Sequence, residues 1–423
     1  MQAFQGLSKD ELLERKNKLL LEYENYKKQG LKLDMSRGKP CNEQLDLSNG
    51  LFDDAKNLYS QDGTDCRNYG LLDGIKEAKA LFAELFNLSD DEIFIGGNSS
   101  LNLMYDLVSK AFIHGLNGFE KPWGKLDKVK FLCPSPGYDR HFAITELFGV
   151  EMIPIPMNHE GPDMDRIEAL VAEDESIKGM WCIPMYSNPS GITYSNDVVM
   201  RLAAMKTKAA DFRILWDNAY AFHHLYEEPD QLLDIIAECR KAGNPHRVFM
   251  FSSTSKVTFP GGGISIMASS KENIAHIKKL IAIQTIGNDK INMLLHVRFL
   301  KDADHMRAHM KKHAEILRPK FEAVNEILEK NLSGKGIAEW NNPRGGYFIS
   351  LEILDGCAKR TVSLAKEAGV TFTPAGATFP YGKDPNDANI RIAPTYPPIE
   401  ELRKAIAILS LCVELAALEK VLA

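Results

Sequence analysis

From about residue 70 to residue 270, short apolar runs alternate with stretches of helical spacing, and this alternation constrains the chain more than any single motif. Strands that alternate with helices are joined by crossovers, so the pattern predicts an α/β unit with a largely parallel sheet. The predicted strands cover 93–95, 129–133, 180–185, 214–216, 248–251 and 264–268. Upstream, residues 8–29 read as a charged amphipathic helix, followed by an extended segment around 33–40. Downstream, a long helix over 302–330 leads to an apolar stretch at 345–351, a helix near 359–368, a strand at 389–393 and a final apolar helix from 399. That tail predicts a smaller α+β unit, with the long helix as the connection.

A chain of 423 residues exceeds one small core, and 44% hydrophobic with 26% charged residues is the balance of an ordinary globular protein. A formal net charge of -6 argues against a nucleic-acid binder, which needs a strongly basic surface. Seven dispersed cysteines without a C-x-x-C pair fit reduced thiols, hence a cytoplasmic protein. The charged segment from Leu7 to Lys28 is not a signal peptide, and no apolar run reaches the roughly 20 residues that cross a bilayer. No membrane partner is expected.

Open α/β sheets bind ligands beyond the carboxyl ends of their strands. Several predicted strands run there into polar residues. Strand 93–95 opens into Gly96-Gly-Asn-Ser-Ser100 and a helix, where Asn98, Ser99 and Ser100 would offer hydroxyls and backbone N–H groups to a phosphate. Strand 180–185 leads to Asn188-Pro-Ser-Gly191, strand 214–216 to Asp217-Asn-Ala-Tyr220, and strand 248–251 to Ser252-Ser-Thr-Ser-Lys256. A lysine there, with its amine neutral, can form a Schiff base with an aldehyde. Taken singly, each piece is ordinary: a surface lysine, a turn, a helix cap. The fixed order is informative, completed by an arginine on a late strand, Arg391. A dinucleotide-binding dehydrogenase is excluded because no G-x-G-x-x-G opens a helix after a strand. No metal site is expected: the histidines form no H-x-x-x-H pair with a carboxylate partner, and His223 and His224 are adjacent.

These residues resemble a pyridoxal 5′-phosphate enzyme of fold type I, in the class I/II aminotransferase superfamily. Leu33-Asp-Met-Ser-Arg-Gly-Lys-Pro40, Cys133-Pro-Ser-Pro-Gly-Tyr-Asp-Arg-His-Phe142 and Ser253-Thr-Ser-Lys256 are similar to the bacterial aspartate aminotransferase subgroup Ic. The resemblance implies a large domain over 49–310 with a mostly parallel seven-stranded sheet, and a smaller α+β C-terminal domain over 311–423 to which residues 1–48 contribute. It makes Lys256 the Schiff-base lysine and Asp217 the partner of the pyridine nitrogen. Asn188 and Tyr220 would bond the phenolic oxygen, Tyr138 would stack on the ring, and Asn98, Ser99, Ser100 and Ser253 would hold the phosphate. Tyr69, in Arg67-Asn-Tyr-Gly70, would reach the phosphate of a neighbouring subunit, which implies a homodimer with shared active sites. Arg391 would clamp the substrate carboxylate, and Gly38 would close over the substrate.

One departure stands out. Where many members carry a phosphate-binding arginine, eight residues after the lysine, this chain has Ile264, so amides and hydroxyls, or Lys290 or Arg37, would have to serve. The implied reaction is transamination between an amino acid and a 2-oxo acid, with aspartate and 2-oxoglutarate the first choice. Alanine, glutamate and 2-aminoadipate donors remain open, as does a carbon–sulfur lyase. An acidic side chain would need a further cation, for which Arg37, Arg140, Lys290 and His141 are candidates. A regulatory aminotransferase-like domain is the non-enzymatic alternative. It is not expected, because the matched motifs begin at Leu33 and leave no room ahead for a winged helix-turn-helix.

Overall fold

The computed structural model describes residues 3–423. In chain order its strands are β1 (Leu33–Asp34), β2 (Ile93–Ile95), β3 (Lys130–Ser135), β4 (Glu151–Asn158), β5 (Gly161–Pro162), β6 (Ile177–Cys182), β7 (Arg213–Asp217), β8 (Val248–Ser253), β9 (Ser265–Ala268), β10 (Ala338–Trp340), β11 (Ile349–Ile353), β12 (Val370–Thr371) and β13 (Asn389–Ile392). The main sheet has order β2-β9-β8-β7-β6-β3-β4-β5, eight strands rather than the expected seven; the extra one is the two-residue β5, antiparallel to β4. β2, β8, β7, β6, β3 and β4 run parallel, and β9 lies antiparallel between β2 and β8. Six carboxyl ends therefore share one edge, where β9 begins.

Both faces of this sheet are covered. Ile93 and Ile95 enter one apolar cluster with Met180, Ile214 and Trp216, while Phe94 enters the opposite one with Phe131, Leu215 and Phe249. Strands buried on both faces are continuous apolar runs, which made most of them legible. β4 was not expected, because Pro154 and Pro156 interrupt it. The sheet tolerates them near its edge, where β4 pairs along its length with β3 and only at Met157 and Asn158 with β5. β6 starts three residues earlier than expected, because Lys178 and Gly179 looked polar and flexible. Lys178 is buried in an ion pair with Asp211 at 2.6 Å, and a Cβ on Gly179 would lie 2.4 Å from the Phe131 ring.

The helix Ala303–Leu332 leads from this layer to an antiparallel sheet of order β10-β11-β13, and it packs with the terminal helix Ile399–Val421. β1 pairs in parallel with β12, and the first helix, Lys9–Lys28, also lies on the terminal helix. The segment Arg344–Gly346 is pinned to the main-sheet layer: Leu225 N–H donates to Arg344 O at 2.9 Å and Gly346 N–H to His223 O at 2.8 Å. Gly345 and Gly346 are required there, since a Cβ on either would meet the Tyr186 side chain at 2.2 and 2.7 Å. Tyr186 itself holds φ at +48, a strained value for a bulky residue, two positions before Asn188.

Candidate active site

Asp217 is the last residue of β7 and is buried. Its Oδ2 lies 3.0 Å from His141 Nε2, and its Oδ1 has no partner among the described residues. His141 stacks on Trp181 at 4.3 Å, with the planes 10° apart, which fixes the imidazole behind the carboxylate. His141 therefore does not reach substrate as a free cation, contrary to one expectation: it is 1% exposed and engaged with Asp217.

Lys256 follows the turn after β8. Its Nζ lies 4.9 Å from the centre of the Tyr220 ring and 5.9 Å from that of Tyr347. Burial pushes its pKa below the usual lysine range, with the Asp217 charge opposing. Burial likewise pushes the Tyr220 phenol well above its ordinary value, with Tyr138, Asp217 and Tyr347 adding to the effect, so Tyr220 keeps its proton and can donate. The loop is held from beneath: His309 Nε2 lies 2.8 Å from Val257 O, His313 Nε2 lies 3.1 Å from His309 Nε2, and Gln44 Nε2 lies 3.0 Å from both His313 Nδ1 and Tyr347 Oη.

Next to β2, the loop Gly96-Gly-Asn-Ser leads into the helix Ser100–His114. Ser99 is its N-cap, but its hydroxyl makes no capping bond, so the first backbone N–H groups are left for a ligand. Across from it, Ser253 Oγ donates to Ser255 Oγ at 3.0 Å, and Ser255 Oγ donates to Asn98 O at 3.1 Å. The buried Ser265 Oγ has no partner. Ile264 stands in the apolar cluster with Val257 and Ile266, and its N–H donates to Thr254 Oγ1 at 2.9 Å.

Arg391, on β13, is 9% exposed and reaches from the small sheet to the large one. Its Nη1 donates to Asp139 Oδ1 at 3.2 Å and to Asn188 Oδ1 at 3.3 Å, and its Nη2 donates to Thr373 Oγ1 at 3.1 Å. Its Nε is buried without a partner, and the Phe348 ring lies 4.9 Å below the guanidinium. Thr373 Oγ1 in turn donates to Ser36 O at 3.1 Å, which ties the Gly38 segment to the arginine. A Cβ on Gly38 would lie 2.2 Å from Phe348 Cζ.

The fold thus brings Lys256, Asp217, Tyr220 and Tyr138 together, and joins Asn188 to Arg391 and Asn98 to Ser255. Tyr138 caps the helix Asp139–Leu147 beside His141, at 5.0 Å between rings. Tyr69 is different: it is 82% exposed on the surface of the single chain. Lys290 is buried and donates to Gly70 O at 3.0 Å, while Arg37 and Arg140 are exposed. Tyr347, Asp139 and Thr373 were not singled out beforehand. Asp139 lies inside a quoted motif and Tyr347 inside the apolar stretch 345–351, but nothing in their neighbours marks them as site residues.

These residues fit pyridoxal 5′-phosphate. A buried carboxylate with one orphaned oxygen suits a protonated ring nitrogen, a largely buried amine of lowered pKa suits the aldehyde carbon, and an uncapped helix start among hydroxyls suits a phosphate.

Comparison with known proteins agrees. The family model described as aspartate amino-transferase matches residues 7–423. The chain is 50% identical over 99% of both chains to a putative aminotransferase of Mycolicibacterium smegmatis. It is 47% identical to the aspartate aminotransferase of Corynebacterium glutamicum, over 94% of this chain and 92% of that one. The crystal structure of an aspartate transaminase from C. glutamicum superposes with a TM-score of 0.96 at 45% identity, covering 99% of each chain. No described helix is long and apolar enough to cross a membrane. The chain belongs to the aspartate amino-transferase family and is a pyridoxal-phosphate-dependent transaminase acting on amino acids and 2-oxo acids.

Proposed function

We propose that the chain moves the amino group of L-aspartate to 2-oxoglutarate, with Lys256, Asp217, Tyr220, Asn188 and Arg391 in the working roles. When bound, pyridoxal phosphate supplies an electron-withdrawing ring that stabilises the charge left on an amino acid's α-carbon. The protein supplies the rest. Asp217, hydrogen-bonded to His141 through Oδ2, would use its unpartnered Oδ1 to hold a protonated ring nitrogen. Tyr220 and the Asn188 amide would donate hydrogen bonds to the ring's phenolic oxygen, and Tyr138 would pack on its face. Lys256, favoured as a neutral amine by burial, takes and returns the α-proton at Nζ. Arg391 grips the substrate carboxylate with a planar fork, and Gly38 lets the N-terminal segment approach closely. Asn98, Ser99, Ser100 and Ser253 would hold the phosphate. The carrying observation is the buried Asp217 carboxylate with Oδ1 unpartnered, on the strand edge where Lys256 emerges.

The choice of aspartate is supported by the aspartate aminotransferase named among the relatives. Its side-chain carboxylate needs a cation, for which the exposed Arg37 and Arg140 and the buried Lys290 remain candidates. A homodimer with shared sites is supported by the exposed Tyr69 (82%) and Ile286 (61%), apolar surface that a second copy would cover. Large and small domains at 49–310 and 311–423, with 1–48 joining the small one, are supported by the β1–β12 pairing. A cytoplasmic location is supported by seven cysteines, all free and buried.

The test is a donor panel with no oxo acid present, in which the second-order rate constant of the half-reaction is followed by cofactor absorbance for aspartate, alanine, glutamate and 2-aminoadipate. Aspartate should lead. A tenfold preference for another donor would retain the transaminase and replace its substrate.

A further inference from the structure

We propose that Asp139 is the resident counter-ion of Arg391, and that an incoming carboxylate must displace it or bind against its charge. The inference rests on the reading of Arg391 as the carboxylate anchor. A guanidinium that is nine-tenths buried is costly without an opposite charge nearby. Asp139 is the carboxylate within ion-pair distance of it among the described residues, with Oδ1 3.2 Å from Nη1. The other two partners, Asn188 and Thr373, are neutral.

The two members of the pair differ in freedom. Arg391 is fixed by Asn188, by Thr373 and by the Phe348 ring below it. The Asp139 side chain is 36% exposed and sits in the first turn of the helix Asp139–Leu147, so it can turn to water without disturbing a core. A ligand carboxylate that takes Nη1 replaces Asp139 directly. One that uses the free Nε brings a second negative charge to the same guanidinium, and the two repel. Either way Asp139 opposes the ligand while holding the empty arginine in place. Asp139 is thus a positioning residue that makes carboxylate binding an exchange, which lowers affinity for substrate and product alike and speeds their release.

The pair also joins the two sheets, since Arg391 lies on β13 and Asp139 follows β3. Without ligand, Asp139 holds the small sheet against the cofactor side; with ligand, the bound carboxylate takes over that bridge.

The test uses the cofactor-loaded enzyme and two simple carboxylates, succinate and propionate, titrated by calorimetry. Asp139→Asn keeps an oxygen for Nη1 but removes the charge. It should tighten both ligands by roughly three- to tenfold, the size of a partly exposed charge interaction. Asp139→Ser should do the same, and agreement between the two separates loss of charge from local distortion. Unchanged or weaker binding in both variants overturns the proposal, because an aspartate that orients the arginine for its ligand gives that sign. Arg391→Lys is measured alongside. If it leaves succinate and propionate binding unaltered, the reading of Arg391 falls and takes the proposal with it. If it weakens binding while the Asp139 variants do not tighten it, only the proposal falls.

Discussion

Gly38→Ala is a one-carbon change with consequences that can be followed atom by atom. The new methyl would lie 2.2 Å from Phe348 Cζ and 2.4 Å from Cε1. Carbon atoms settle at about 3.5–4.0 Å, so ring and segment must part by roughly 1.5 Å. The ring is 5% exposed and has the Arg391 guanidinium 4.9 Å above it, so it has little room to move without pushing the arginine. Nor can the segment retreat freely, because Ser36 O is bonded to Thr373, which also holds Arg391 Nη2. Overpacking of this kind costs about 1–3 kcal/mol. A misplacement of about 1 Å in a positioning group can cost about 100-fold in rate. Steady-state kinetics with aspartate should give a KM at least tenfold higher and a lower kcat. The melting temperature should fall by roughly 1–3 °C, and the absorption of the bound cofactor should be unchanged. Wild-type KM and kcat at an unchanged melting temperature would refute the claim that Gly38, Phe348 and Arg391 form one rigid stack.

Lys256→Ala should abolish turnover while the protein still folds, since the side chain packs against two tyrosine rings without belonging to the core clusters; activity assay and circular dichroism check this together. Asp217→Asn leaves a hydrogen-bonding group beside His141 but removes the charge, so the rate of the half-reaction should fall by about 100-fold or more in stopped-flow absorbance, with modest loss of cofactor. Acid should destabilise the fold through His313, whose pKa burial and the neighbouring His309 push down to about 3. Unfolded histidine titrates near ~6.5, so this stability is complete above that pH and is lost as pH falls towards 3, by about 2 kcal/mol at pH 5. His313→Gln should therefore show a smaller drop in melting temperature between pH 7.5 and pH 5 than the parent; an equal or larger drop would assign the acid sensitivity elsewhere.

The strand-end residues were legible because parallel strands buried on both faces are apolar throughout, and a polar residue ending one marks the sheet's edge. Lys256, Asp217 and Asn188 announce themselves in this way. β4 did not, because Pro154 and Pro156 broke a pattern that the sheet's periphery tolerates. Lys178 hid the start of β6, since nothing near it in sequence reveals Asp211 as its buried partner. The support of the site is mostly long-range. Gln44 meets His313 across 269 positions and Tyr347 across 303, and no local periodicity encodes such a meeting. His141 was read as a possible substrate cation because its charge was visible, whereas its place behind Asp217 depends on the stack with Trp181. Tyr69 points away from its own chain, so a site built from one copy leaves it without a role.

The most direct measurement is an absorption spectrum of the purified protein, recorded before and after adding L-aspartate with no oxo acid present. A yellow band that bleaches to a near-ultraviolet form, with one equivalent of oxaloacetate released per site, is the predicted result. No cofactor band, even after incubation with pyridoxal phosphate, would contradict the assignment of Lys256 and Asp217; a band that only another amino acid bleaches would contradict the choice of aspartate.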